Sequence, residues 1–120
     1  MYVFDLHRDG LKDLPENREI YLAVFGEQET AKLCMVVGND NFNSELNTKF
    51  AEKIKEKLDK KYVGLARPII DRDNRKYNQF VSDNAALIEV GSNLNTLEEA
   101  LEASKPLANV IGELITESEQ

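Results

Sequence analysis

Two stretches of helical periodicity, set among apolar runs too short to be helices, constrain this chain more than any other feature. From Glu45 to Lys60, the apolar residues Leu46, Phe50, Ile54 and Leu58 recur at every fourth position. That is a narrow core-facing stripe on a charged cylinder, and Asn43 or Ser44 can cap its start. A second helix opens at Thr96-Leu97-Glu98-Glu99, a capping box in which the Thr oxygen meets an orphan amide and Glu99 reaches back. Its apolar side reads as Leu97, Leu101, Ala108, Ile111 and Ile115, and Pro106 within it predicts a kink or a lost hydrogen bond. Around these lie five short runs of strand formers: Tyr2 to Leu6, Ile20 to Phe25, Ala31 to Val37, Ala66 to Ile70 and Ala85 to Val90. Strands alternating with helices predict an α/β fold, a mostly parallel twisted sheet flanked by helices.

Local signals refine this. Gly26 to Thr30 is a connection of hairpin length, so Ile20–Phe25 and Ala31–Val37 are expected to pair antiparallel. The second of these runs is almost continuous in Leu, Met and Val, as in a strand buried on both faces. Pro68 restricts the pairing of Ala66–Ile70, and Asp71 to Ser82 reads as polar loop. With 120 residues and no repeat or linker, the chain is expected to form part of one domain.

Charge narrows the function classes. A net charge of −7 repels a phosphate backbone, and the lysines from Lys49 to Lys61 alternate with Glu52, Glu56 and Asp59 as on a solvated helix face. Nucleic acid is therefore not an expected partner. No apolar run approaches the roughly 20 residues of a membrane span, and the chain reads as a soluble piece. Cys34, the only cysteine, lies in an apolar run and reads as a buried small hydrophobe.

In an open α/β sheet, ligands collect beyond the carboxyl ends of parallel strands. Two strands end in a residue of catalytic type, the first in His7 and the last in Glu89. If those strands are parallel neighbours, the two side chains share a crevice. Asp5, His7 and Asp9 alternate along an extended segment and can share a face, and a carboxylate beside the imidazole fixes its tautomer. A strand-end histidine with local hydrogen bonds is the alternative. Glu89 sits in an apolar strand, where its pKa would rise toward the range of a general base and acid; a carboxylate exposed at the sheet rim is the other reading. No Gly-rich phosphate loop or nucleophile motif accompanies them.

Four motifs then occur in order: Asp5-Leu6-His7-Arg8-Asp9, Tyr77-Asn78-Gln79, Leu87-Ile88-Glu89-Val90-Gly91 and Asn95-Thr96-Leu97-Glu98-Glu99-Ala100. That succession resembles the stage II sporulation protein P family of endospore-forming bacteria, with the zinc N-acetylmuramoyl-L-alanine amidases as more distant relatives. The resemblance implies a peptidoglycan hydrolase that cleaves the muramic acid–peptide amide, and peptide cross-links as well, during engulfment of the forespore. It implies zinc as cofactor, His7 as a metal ligand, Glu89 as the catalytic carboxylate, and Asn78 and Gln79 near the substrate. It further implies membrane-anchored action outside the cytoplasmic membrane, with stage II sporulation protein D as partner. The family's first zinc histidine, a ligand glutamate, the membrane anchor and the opening strands lie upstream of the matching segment. Residues 1–120 are thus expected to be the C-terminal part of the catalytic domain, inactive alone and able to form a homodimer through an uncovered edge. A non-catalytic domain that binds cell wall or a protein partner is the competing reading.

Overall fold

The computed structural model describes residues 1–119. Strand β1 (Tyr2–Asp9) is followed by a 3₁₀ turn (Pro15–Tyr21), strands β2 (Leu22–Phe25), β3 (Gln28–Ala31) and β4 (Leu33–Gly38), and helix α1 (Ser44–Lys61). Strand β5 (Ile70–Arg72), a second 3₁₀ turn (Gln79–Val81), strand β6 (Asn84–Ser92) and helix α2 (Leu97–Ser118) complete the order. The main sheet runs β1-β6-β4-β5, and β2 and β3 form a separate hairpin. β1 pairs with β6, and β4 with β5, in parallel, while β4 and β6 are antiparallel. Parallel pairing predominates in this α/β sheet, as expected.

Both helices cover one face of the sheet. Leu33, Met35, Val37, Ala86 and Ile88 meet Phe50, Ile54 and Leu58 of α1 and Ala103, Leu107, Val110 and Leu114 of α2. Tyr2 and Phe4 extend this core on β1, their rings 5.8 and 5.9 Å from that of Phe50. The opposite face carries a smaller cluster in which Tyr21, Cys34, Val36 and Leu87 are covered by the first 3₁₀ turn and nearby loops. β4 is buried along its whole length, so its continuous apolar run is explained by contact on both faces.

Three expectations need correction. The hairpin partner of β2 is Gln28–Ala31, closed by a turn at Gly26-Glu27, and not the run that begins at Ala31. The chain leaves the hairpin at Lys32, whose amide donates to the Tyr21 carbonyl and whose carbonyl accepts from Gly91. Strand character near Pro68 begins later than expected, at Ile70, with only a single bridge at Ala66 before it. On α2, Leu97 and Leu101 are 73% and 54% exposed, whereas Glu99, Ala103, Leu107, Val110 and Leu114 face inward. The helix runs unbroken through Pro106.

The rotation of α2 follows from its capping residue. Thr96 accepts from the Glu99 amide and the Glu99 carboxylate accepts from Thr96, so the capping box forms as read. The same carboxylate is buried and accepts from both terminal nitrogens of Arg18, at 3.0 and 2.5 Å, and from the Asn95 amide at 3.0 Å. Arg18 in turn donates to the Leu94 carbonyl. Turning Glu99 inward fixes which residues three and four positions on must follow it. Those hydrogen bonds, led by Arg18, hold its pKa down to about 2.

A pH test follows from the sign of that shift. A carboxylate with a depressed folded pKa adds stability above its unfolded pKa, and that contribution disappears as pH falls through the folded value. The shift corresponds to about 3 kcal/mol at neutral pH. Glu99→Gln is expected to lower stability by that order at pH 7, with the deficit shrinking from about pH 4.5 down to about pH 2. Chemical unfolding of both proteins across that range measures it; a deficit independent of pH would remove the ion pair as its cause.

Candidate functional site

The parallel register places His7 of β1 directly beside Glu89 of β6, and the antiparallel register places Cys34 of β4 on the other side of Glu89. Directly paired residues point to the same face, so His7, Glu89 and Cys34 form a row on the face away from the helices. His7 is half exposed, and its Nε2 lies 2.9 Å from Asp5 Oδ1. With Nε2–H held by Asp5, Nδ1 is the nitrogen left for another partner. Asp9 lies close to the row without hydrogen-bonding to it. The β1–β6 register slips between His7 and Asp9, and the Asp9 carboxylate instead accepts from the Tyr21 hydroxyl at 2.9 Å.

The slip lies on β6. Two residues, Val90 and Gly91, separate Glu89 from Ser92, against one on β1, so β6 bulges here. Gly91 has a φ of +73°, and a Cβ there would lie 2.5 Å from Asn95 Oδ1 and 2.8 Å from Ala31 Cβ. Only glycine fits both the left-handed backbone and the close approach. The bulge moves Ser92 and Asn95 into the network beneath α2, where Arg8 donates to both their carbonyls.

Glu89 is the strained element electrostatically. Its Oε2 is buried and has no hydrogen-bond partner among the described residues. Burial is the largest cause raising its pKa; the Asp9 carboxylate adds to that, His7 opposes it, and Asp5 adds further. Such a group exchanges a proton more readily near neutrality than an ordinary glutamate. Tyr21 lies over this face, with the Arg67 guanidinium 4.6 Å from its ring centroid. Burial drives the Tyr21 and Cys34 pKa values up, so both stay protonated. Cys34 is a buried hydrophobe, as read from its neighbours. Tyr21 and Arg67 were not singled out in the sequence, since only the folded chain brings them to this face.

Asn78 and Gln79 are not brought to this row. Gln79 is buried, its Oε1 accepting from the Gly38 amide at 2.9 Å and its Nε2 donating to the Val36 carbonyl at 2.8 Å. Gly38 is four residues beyond Cys34, about 13 Å along β4. Asn78 holds a left-handed backbone just before it, with φ +59°. Both carboxamides therefore belong to the opposite end of the sheet from Glu89.

A zinc site takes about three protein ligands. Among the described residues no group of three or more His, Cys, Asp or Glu side chains converges as a ligand set. The donors present do not fit a zinc ion by themselves. Nor is any helix of the described residues long and apolar enough to cross a membrane.

The bulge can be tested directly. Gly91→Ala combines left-handed strain of about 1–2 kcal/mol with overpacking of about 1–3 kcal/mol. A stability loss of that summed order is expected in thermal or chemical unfolding, and a loss under about 0.5 kcal/mol would mean that the backbone relaxes freely there.

The family model described as Stage II sporulation protein P matches residues 1–112. Stage II sporulation protein P of Bacillus subtilis (strain 168) is 32% identical over 123 aligned positions, which cover 99% of this chain. The chain spans 29% of the length of that relative. No solved structure matches it. The chain belongs to the Stage II sporulation protein P family.

Proposed function

We propose that this chain is the C-terminal part of a peptidoglycan hydrolase domain, an N-acetylmuramoyl-L-alanine amidase with endopeptidase capacity, in which Glu89 is the general base and acid. Family membership supports a role in sporulation. The observation that carries the chemical reading is the pairing of Glu89, with one buried and unpartnered oxygen, beside His7 on neighbouring parallel strands. In the amide hydrolysis, Glu89 takes a proton from the attacking water as its oxygen bonds to the carbonyl carbon. It then returns that proton to the amine as the C–N bond breaks. Asp5 holds Nε2 of the His7 imidazole, leaving Nδ1 for another partner.

His7 is proposed as a zinc ligand in the complete protein, and the remaining ligands then come from outside the residues described. The expected setting is the space outside the cytoplasmic membrane, with peptidoglycan as substrate and stage II sporulation protein D as partner. Asn78 and Gln79 stay proposed near the substrate on the family resemblance, with the Gln79 amide hydrogen-bonded to the backbone of β4.

In the complete protein, Glu89→Gln is expected to cut muropeptide release by roughly a hundredfold or more while the metal content stays near wild type. His7→Ala is expected to lose metal and activity together. Elemental analysis and chromatography of digested cell wall measure both. Wild-type turnover by Glu89→Gln would eliminate its catalytic role, and full zinc occupancy in His7→Ala would eliminate the ligand.

A further inference from the structure

The row of His7, Glu89 and Cys34 does not stop at β4. Leu33 forms a parallel bridge with Ala66. The Leu33 amide donates to the Leu65 carbonyl at 2.9 Å, and the Arg67 amide donates to the Leu33 carbonyl at 2.8 Å. Bridged residues share one face of a sheet and the residues that follow them share the other. Leu33 and Ala66 belong to the core beneath the helices, so Arg67 stands beside Cys34 on the face of Glu89. The order across the sheet is therefore His7, Glu89, Cys34, Arg67. At about 4.8 Å per strand, the backbones of Glu89 and Arg67 are about 10 Å apart.

Tyr21 holds the guanidinium in place. Arg67 lies over the Tyr21 ring, 4.6 Å from its centroid, within the range at which a cation is attracted to a ring face. Tyr21 is itself fixed, being fully buried with its hydroxyl donating to Asp9 Oδ2 at 2.9 Å. Burial raises the Cys34 pKa, and Arg67 is the charge that most opposes the rise, which sets the guanidinium close to this part of the sheet. A guanidinium carries five N–H donors in one plane, more than contact with a single ring can occupy. No carboxylate pairs with Arg67 among the described residues. The other two arginines near this end are already engaged, Arg8 with the Ser92 and Asn95 carbonyls and Arg18 with Glu99. Arg67 is thus half-buried, oriented and without a counter-charge.

The chemistry of the group selects its ligand. A planar fork of charged donors matches a carboxylate, which accepts two parallel N–H bonds. Asp5, Asp9 and Glu89 all act in the neighbourhood of the row, so a singly charged anion meets less repulsion here than a phosphate monoester would. On the hydrolase reading above, the bond broken at Glu89 joins a sugar acid to a peptide, and the carboxylates of that peptide are the nearest anionic groups. An extended peptide spans about 3.5 Å per residue. A separation of about 10 Å then corresponds to a carboxylate on the second or third residue of the peptide.

We propose that Arg67 binds a carboxylate of the peptide stem two or three residues from the amide at Glu89, and so makes the site selective for acidic stems; the identity of the peptide rests on the hydrolase reading. The probe is the free stem tetrapeptide L-alanyl-γ-D-glutamyl-meso-diaminopimelyl-D-alanine, titrated into the complete protein by calorimetry. It is compared with forms in which the free carboxyl of the second or of the third residue is a carboxamide. One of the two amidations is expected to weaken binding by about tenfold or more. Arg67→Gln should weaken the acid form by the same factor and leave that amide form unchanged, and Arg67→Lys should keep part of the preference. With cell-wall substrate, Arg67→Gln should raise KM while kcat stays within about twofold of wild type, as for loss of uniform binding. Equal affinity of wild type for the acid and both amide forms overturns the proposal, and that comparison needs no variant to fold. So does an equal loss for acid and amide forms in Arg67→Gln, or no binding of the tetrapeptide. Acid-selective binding without any muropeptide release would instead overturn the hydrolase reading and uphold the role of Arg67.

Discussion

Arg18 reaches from the first 3₁₀ turn to a carboxylate that is almost wholly buried, and much of the molecule is arranged around that contact. Glu99 accepts hydrogen bonds from Arg18, Asn95 and Thr96 at once, so its charge is compensated and hydrogen-bonded at the same time. A buried charge is tolerable only under both conditions. The network starts α2, sets the helix rotation and ties the β6–α2 connection to the 3₁₀ turn. Asn95 also donates to the Tyr21 carbonyl and accepts from the Ser92 amide, so the strand end is bound into the same assembly. Removing one member leaves several others facing a dry interior without partners.

The catalytic candidate depends on that assembly indirectly. Tyr21, whose carbonyl is held by Asn95 and Lys32, sends its hydroxyl to Asp9, and Asp9 is a principal charge acting on Glu89. The left-handed glycine of the bulge lets β6 keep Glu89 in register with His7 and then turn at once into the network beneath α2. One end of the sheet thus holds both a dense hydrogen-bond network and a carboxylate with a buried, unpartnered oxygen. Function commonly resides in such local exceptions to otherwise consistent folding signals.

Local chemistry made part of this legible in the sequence. The capping box at Thr96 involves residues three apart and was fully readable, and the positions of His7 and Glu89 toward the ends of their strands followed from apolar runs and their polar stops, whereas the pairing of those two strands was only a condition of that reading. The face of α2 was misread because the stripe that faces the core, Ala103, Leu107, Val110 and Leu114, opens on the charged Glu99, whereas the neighbouring side offers the large apolar residues Leu97, Leu101, Ile111 and Ile115. A charged residue, Glu99, decided between the two, and the identity of its partner is a tertiary fact. The division of Gln28–Ala31 from Leu33–Gly38 was hidden for a similar reason. No polar break marks the point where the chain passes from hairpin to sheet. Gln79 looked like a residue available to a ligand, yet its amide substitutes for a missing strand neighbour at the end of β4. A polar side chain satisfying backbone groups far along the chain leaves no local signature.

The pairing of β1 with β6 has a kinetic consequence. Tyr2 pairs with Asn84 and His7 with Glu89, so the parallel pair at this edge of the sheet joins the first strand to the last. Closing so long a loop is entropically unfavourable, and contacts of high sequence separation form slowly. The β2–β3 hairpin and both helices are local and can form before it. The row of His7 and Glu89 therefore comes into existence only when the two ends of this segment have met. A nascent or partly unfolded chain holds His7 and Glu89 apart, so any role proposed for the pair is tied to completion of the fold.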